Sequence, residues 1–564
     1  MTDQVAESTR SVTPDASVAT DEKLSRQRKW LDLLMLEGVA VLLYLAYPPV
    51  GWWLLAWLAP IGWIRFATTQ TWHLRRPYRR LYFVGLLYSL LLVQWIRLPH
   101  WSAYFGWWLL AVYLAVYVPL FVAATRGLMW QLKLPSWLAA PVAWTGLELV
   151  RGYLLTGFSM SLLSHTQVKL TPLLQIADLV GAYGVSFVVI LVAASLETLL
   201  PRGDQQPAPR WRWLAPVISL LTLAGCWMYG QTRIVTLQPT SDPGSRTLNA
   251  ALIQGSLDTQ FDGDEQRVMD AFFDYVALSG KSLMYPPVDV IIWPESMFSA
   301  NQNMLSYDPP VTGFPGWDGT AEELRQRLDE LKGVVKERVD WTTQQLKTPM
   351  IVGTGWDHFV AGEVRRYNSC VYLSAQGEVL DRYDKMHPVM FGEYVPFGRW
   401  FPWLYYLTPM SGGLAEGQTA HAFRVNDVVL SPCICFENTV PHLLRRQFNQ
   451  LDAQGDNPDV LVTVTNDGWF WGSSLLDVHL ACGVFRAIEL HLPTLIAANT
   501  GFSASIAATG QIQEQGPRRD RGVLLPRLWL PATPANSVYS RWGDMFAAGC
   551  LVTVLVAIGK AGLK

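Results

Sequence analysis

The alternation of apolar and polar positions divides the chain into unlike parts. A polar opening of about thirty residues, rich in Ser, Thr, Asp and Arg, gives way to apolar runs at positions 30–48, 50–66, 81–96, 105–125, 136–150, 177–200 and 212–230. An eighth run covers 544–562. Most of these approach the ~20 residues that a helix rising about 1.5 Å per residue needs to cross a hydrocarbon layer. The pattern therefore predicts a seven-span membrane domain over 30–232 and a C-terminal transmembrane helix and tail over 543–564. The opening stretch, 1–29, lacks the apolar core and small-residue cleavage site of a secretory signal and reads as a mobile polar tail.

Between 245 and 535 the pattern becomes that of a globular domain. Strand-type runs are expected at Leu248 to Ile253, Val288 to Trp293, Met350 to Gly353, Ser369 to Leu373, Val428 to Cys435 and Val460 to Thr465. Residues 321 to 346 place Leu324, Leu328, Leu331, Val335 and Val339 on one face of a helix, and a second helix is expected through Leu480 to Leu490. Strands with continuous apolar character alternating with helices imply an α/β sandwich whose sheets are covered by helices.

Basic residues orient the spans. Arg65, Arg75, Arg76, Arg79 and Arg80 follow the second run, Arg126 and Lys133 the fourth, and Arg202, Arg210 and Arg212 the sixth. Positive charge in short loops collects on the cytoplasmic side. The tail is therefore expected in the cytoplasm and the globular domain outside it. Composition agrees with a membrane setting, since half of the 564 residues are hydrophobic, only 16% are charged, and 26 are Trp. A net charge of −2 argues against a nucleic-acid partner held by phosphate contacts. Six cysteines at irregular spacing give neither a disulfide framework nor a zinc pattern of the closely paired type.

Three strand ends carry unusual polar residues. Ile291-Ile292-Trp293-Pro294 delivers Glu295, Asp381-Arg382-Tyr383-Asp384 delivers Lys385, and Ser431-Pro432-Cys433-Ile434 delivers Cys435. A thiol acts as a nucleophile when ionised, which calls for a base and a nearby cation. Glu295 can supply the first and Lys385 the second. Each signal alone has a plainer reading: a solvated turn acid, a surface lysine, a small core thiol.

Taken together and in this order, they resemble the Glu, Lys, Cys triad of the nitrilase superfamily. The whole chain resembles most closely its membrane branch, the apolipoprotein N-acyltransferases. The resemblance runs through Trp-Pro-Glu at Glu295, Tyr367-Asn368-Ser369, Gly392-Glu393-Tyr394-Val395-Pro396, Cys435-Phe436-Glu437, Thr465-Asn466-Asp467-Gly468-Trp469-Phe470 and Arg486-Ala487-Ile488-Glu489. It includes Arg151-Gly152-Tyr153 with Leu155-Thr156-Gly157-Phe158, and Tyr539 to Asp544. It implies about eight spans with an extracytoplasmic nitrilase-type αββα sandwich, at the inner membrane of a bacterium with the catalytic domain periplasmic.

By this resemblance Cys435 is the nucleophile, Glu295 the general base and Lys385 the oxyanion stabiliser. Glu393 and Glu437 support Lys385, and Phe436 stands where the family often has Tyr. Phe261, where the family commonly has Trp, Arg151 and Tyr394 are expected to contact substrate, with Arg151 at the outer membrane surface near the site. The implied reaction moves a fatty acyl chain from a phospholipid, through a cysteine thioester, to the α-amine of a diacylglyceryl-cysteine in an apolipoprotein. Rival readings are a membrane-tethered amidase and a non-catalytic transporter or scaffold.

Overall fold

The computed structural model describes residues 16–201, 210–238, 245–259, 264–285, 287–398, 400–407, 412–532 and 536–562. Phe261, Arg202 and the first fifteen residues of the expected tail lie outside these. The remainder of that tail is helical, because α1 runs Ala16–Ala46 and extends the first apolar run toward the N-terminus by about four turns.

The apolar runs fold into a helical domain. After α1 come α2 (Leu55–Leu58), α3 (Pro60–Thr68), α4 (Pro77–Leu92), α5 (Ala103–Leu114), α6 (Tyr117–Gln131), α7 (Ser136–Tyr153), α8 (Thr171–Leu174), α9 (Ala177–Glu197) and α10 (Leu214–Thr236). The run at 50–66, expected to be one helix, is two, since Pro60 starts a new one and its ring cannot sit inside the old. Ala103–Gln131, Ala177–Glu197, Leu214–Thr236 and the C-terminal Met545–Gly562 are long and apolar enough to cross a membrane by length and composition.

The second domain is a sandwich of two sheets. Its strands are β1 (Arg246–Gln254), β2 (Val290–Ile292), β3 (Met304–Tyr307), β4 (Met350–Val360), β5 (Glu363–Leu373), β6 (Val379–Asp384), β7 (Phe423–Val425), β8 (Val428–Ile434), β9 (Val460–Thr465), β10 (Thr494–Ala498), β11 (Ala504–Ile506), β12 (Ile512–Gln515), β13 (Gly522–Leu524) and β14 (Arg527–Leu530). One sheet has the order β13-β1-β2-β4-β5-β6, with β14 on β1 and β3 on β4; the other has the order β12-β11-β10-β9-β8-β7. β1, β2 and β4 run parallel, as do β8, β9 and β10.

Burial on both faces explains the continuous apolar strands. Leu252, Val290, Ile292 and Ile351 of one sheet meet Leu430, Val460, Val462 and Leu495 of the other. On the opposite face, Ile253, Ile291, Trp293 and Val352 meet α11 (Glu265–Ser282) and α12 (Ala321–Leu346). α12 has the predicted boundaries, fixed at its start by a capping box between Thr320 and Glu323 and closed by left-handed Lys347. The second sheet is covered by α13 (Pro441–Gln454) and α14 (Leu475–Leu490). The chain ends with α15 (Val538–Trp542) and α16 (Met545–Gly562).

α14 also joins the domains, because Val484, Phe485 and Ile488 belong to the apolar cluster of the helical domain. α9 breaks at Gly181 (φ +70°), and a Cβ there would fall 2.6 Å from the Tyr539 ring, so only glycine lets the two domains approach this closely. The broken turn is held by Glu489, whose carboxylate accepts from the Ala182 N–H at 2.8 Å. Beside it, Asp178 of α9 binds both Arg233 of α10 (2.8 Å) and His491 at the end of α14 (3.0 Å).

Candidate active site

Each predicted chemical residue stands at a strand end on the same edge of the sandwich. Glu295 follows β2 through Pro294, and its backbone passes so close to β4 that a Cβ on Gly353 would lie 2.4 Å from the Glu295 Cα. Lys385 follows β6 directly, its N–H donating to the Asn368 carbonyl of β5 at 2.9 Å. Cys435 was expected as the last residue of a strand. It is instead the first residue past β8, in a left-handed conformation with φ +52°. This sharp turn is costly for a residue with a side chain, and such strain collects at functional sites.

Lys385 is nearly buried and sits between two carboxylates, with Nζ 3.4 Å from Glu295 Oε1 and 2.7 Å from Glu393 Oε1. Burial opposes its charge, but Glu393 and Glu295 more than offset this and hold the ammonium protonated well above the usual lysine range. Asn368 Nδ2 bridges the same two carboxylates, donating to Glu295 at 2.6 Å and Glu393 at 3.0 Å. The other oxygen of Glu295 accepts from the Asn466 N–H at 2.9 Å, and that of Glu393 accepts from the Val389 N–H at 2.8 Å. All four oxygens are thereby fixed before any substrate arrives.

Cys435 lies within the fields of both Glu295 and Lys385. Burial pushes its thiol well above the ordinary cysteine range, Glu295 adds to this, and Lys385 works against it. The thiol therefore rests protonated and needs a base at the moment of attack.

Glu437 is not paired with Lys385 as Glu393 is. Its carboxylate accepts from Tyr383 O–H (2.9 Å), Met386 N–H (2.7 Å), His387 N–H (3.1 Å) and Ile434 N–H (2.7 Å). It thus ties the segment carrying Lys385 to the turn carrying Cys435, and burial pushes its carboxyl up to about 7. Phe436 is half-buried between the sandwich core and the helical domain, its ring parallel to that of His387 with centroids 5.9 Å apart. Tyr394 is half-buried in the turn that carries Glu393, where its carbonyl accepts from the Phe391 N–H at 2.7 Å.

The helical domain reaches the same edge. Tyr153 stacks on His442 at 4.0 Å, and Trp95 meets Phe470 edge-to-face at 5.3 Å. Arg151 ends α7, donates to the Ser161 carbonyl at 3.1 Å, and lines a cleft with Glu148, Tyr47 and Tyr88. Sequence reasoning missed the roles of Asn368 and Asn466, although both lie in quoted motifs. It missed His479 altogether, which donates to the Cys435 carbonyl. Among the described residues, no group of three His, Cys, Asp or Glu side chains is arranged to hold a metal ion.

Comparison with known families accounts for both domains. Residues 39–195 match the apolipoprotein N-acyltransferase N-terminal domain, and residues 249–533 match the carbon-nitrogen hydrolase family. The chain is 30% identical over 545 residues to an apolipoprotein N-acyltransferase of Geobacter metallireducens, covering 94% of this chain and 95% of that one. It belongs to the apolipoprotein N-acyltransferase family. The N-acyltransferase of Rhodopirellula baltica is 29% identical over 544 residues, covering 88% of this chain and 93% of that one. Among solved structures, an amidase from Nesterenkonia sp. aligns with 55% of this chain and 98% of its own at 14% identity and a TM-score of 0.33. Membership of the N-acyltransferase family thus rests on both domains together.

Proposed function

We propose that this chain transfers a fatty acyl group from a phospholipid to the N-terminal amine of a diacylglyceryl-cysteine in an apolipoprotein, with Cys435 as nucleophile, Glu295 as base and Lys385 as oxyanion stabiliser. Glu295 takes the thiol proton as sulfur attacks the ester carbonyl. The tetrahedral oxyanion forms beside the Lys385 ammonium, which is already oriented by Glu393. Collapse breaks the ester C–O bond, the proton on Glu295 passes to the departing alkoxide, and a lysophospholipid leaves. The acceptor amine then attacks the thioester, Glu295 takes its proton, and the amide departs as the thiolate is released and reprotonated. Neither half-reaction calls for a metal or organic cofactor.

The observation that carries this reading is the meeting of Glu295, Lys385 and left-handed Cys435 where the sandwich abuts the apolar helical domain. A hydrolase of small soluble amides has no use for that placement, whereas two lipid-anchored substrates do. Exposed Trp400, Trp403 and Tyr406 follow the Glu393 turn, and such a patch suits a lipid surface. In this reading eight membrane crossings are made by α1, α2–α3, α4, α5–α6, α7, α9, α10 and α16, of which α5–α6, α9, α10 and α16 are long and apolar enough by length and composition, and the basic loops put the sandwich on the periplasmic side of the inner membrane. In this reading Arg151, Tyr394 and Phe261 contact lipid.

The test is to trap the intermediate. Protein incubated with radiolabelled phospholipid and no acceptor should gain one acyl chain on the peptide containing Cys435, released by hydroxylamine and passed on to a diacylated lipopeptide. Cys435→Ala should carry none, and Cys433→Ala should label normally, since that thiol is buried against Leu444 and Phe448. Label on Cys433, or transfer by Cys435→Ala, sinks the assignment. Ammonia release from simple amides without acyl transfer would favour the amidase reading.

A further inference from the structure

A buried acid and a buried imidazole that the reaction scheme leaves unused meet the nucleophile from behind. His479, on α14, directs Nδ1 to the Asp467 carboxylate at 3.1 and 3.3 Å and Nε2 to the backbone carbonyl of Cys435 at 3.1 Å. Both partners only accept hydrogen bonds, so both ring nitrogens donate and the side chain is an imidazolium. Asp467 in turn accepts from the Thr465 hydroxyl at 3.1 Å, and Thr465 favours ionisation of the Cys435 thiol. The contacts run from the Cys435 carbonyl through His479 and Asp467 to Thr465.

This relay is built into the fold. Thr465 is the last residue of β9, Asp467 opens the following turn, and a Cβ on Gly501 would fall 2.3 Å from the Asp467 carboxylate, so the close seat of this acid depends on a glycine. His479 and Asp467 are both at least 95% buried, and Asn438 of the nucleophile turn donates back to the His479 carbonyl at 3.4 Å. A buried charge pair costs stability unless its geometry does something else. Here the carbonyl it holds belongs to the residue with the strained backbone.

We propose that His479, oriented by Asp467, is a positioning residue that holds Cys435 in its left-handed conformation through the carbonyl and places a compensating positive charge beside the nascent thiolate. The proton stays on His479 throughout; the base remains Glu295. Burial works against the imidazolium, while Asp467, the Cys435 carbonyl and Glu295 more than offset it and raise the pKa of His479 above the ordinary histidine range. When the thiol ionises, the Thr465 hydroxyl can turn from Asp467 toward the sulfur, leaving Asp467 balanced by His479. The inference rests on the proposed function only in taking Cys435 as the nucleophile.

The experiment uses full-length protein in detergent and compares wild type with His479→Ala and His479→Gln. Two quantities are read: acyl-transfer kcat and KM, and the rate at which iodoacetamide modifies the Cys435 peptide across neutral to alkaline pH. Gln retains an N–H for the carbonyl but no charge. It should keep kcat within about fivefold of wild type, whereas Ala should lose at least about tenfold more, with KM for phospholipid little changed. Both variants should alkylate more slowly at each pH, because both lack the charge that favours thiolate. Equal losses of kcat in Ala and Gln, or alkylation by Gln at the wild-type rate, would overturn the proposal. The Gln alkylation arm decides even where Ala does not fold. Should Cys435 not be the nucleophile, wild-type protein alkylated at Cys435 would still transfer acyl groups, a separate outcome from either of these.

Discussion

Replacing Lys385 by Met tests the charge arrangement at the site most directly. The native ammonium is nearly buried between Glu295 (3.4 Å) and Glu393 (2.7 Å), with Asn368 donating to both carboxylates. Met fills much of the same volume but leaves two buried acids facing each other with one neutral donor between them. Removing one partner of a buried pair typically costs about 3–5 kcal/mol, which for a domain of this size corresponds to roughly 5–8 °C in Tm. Loss of the oxyanion charge should lower kcat by about 10²–10³ on its own. The two effects separate in the double variant Lys385→Met with Glu393→Gln, which removes one of the opposed acids. It should recover at least about a third of the lost stability and none of the activity. Thermal unfolding in detergent and transfer from phospholipid to a diacylated lipopeptide read the two quantities. A single variant with Tm within about 2 °C of wild type and a rate within tenfold would refute both the buried pair and the oxyanion role.

Gly353→Ala should cut transfer by at least about tenfold while the sandwich stays folded, because the new methyl group displaces the Glu295 backbone; near-normal kcat would show that the base tolerates the shift. Glu437, with its folded carboxyl raised to about 7 against an ordinary value of 4.5, binds its proton more tightly folded than unfolded. Its contribution to stability is therefore full below about pH 4.5 and lost as pH rises through about 7, and denaturant titrations of Glu437→Gln should lack that part of the wild-type slope. A reporter fused after Gly230 should behave as periplasmic, and cytoplasmic behaviour would discard the proposed topology.

Glu295 and Cys435 were legible in the sequence because each follows an apolar strand buried on both faces, whereas Lys385 follows β6, which is mostly exposed or half-buried, and stood out only by its place in the chain between the other two. α12 was legible to the residue, since its heptad-like Leu and Val positions and the Thr320 cap agree. The strands from Thr494 to Leu530 were not: β10 and β11 are buried but very short, β12 is largely exposed, and the alternation of β14 covers too few residues to mark a strand. The break in the second apolar run hung on Pro60, which an apolar-run reading passes over. His479 could not be found from spacing, because its partner is a carbonyl 44 residues away that points at it only through the reversed backbone of Cys435.

That resting protonation of Cys435 has a consequence for the thiol's survival. Disulfide exchange and oxidation both proceed through the thiolate, so a sulfur that ionises only when Glu295 draws off its proton in the presence of substrate is a poor target for stray oxidants and for disulfide-forming partners. Five further cysteines are also free, and Cys370, Cys433 and Cys482 of the sandwich are buried with thiols pushed up by that burial. A reducing agent should therefore be unnecessary to keep the enzyme active, even where its sandwich faces an oxidising compartment.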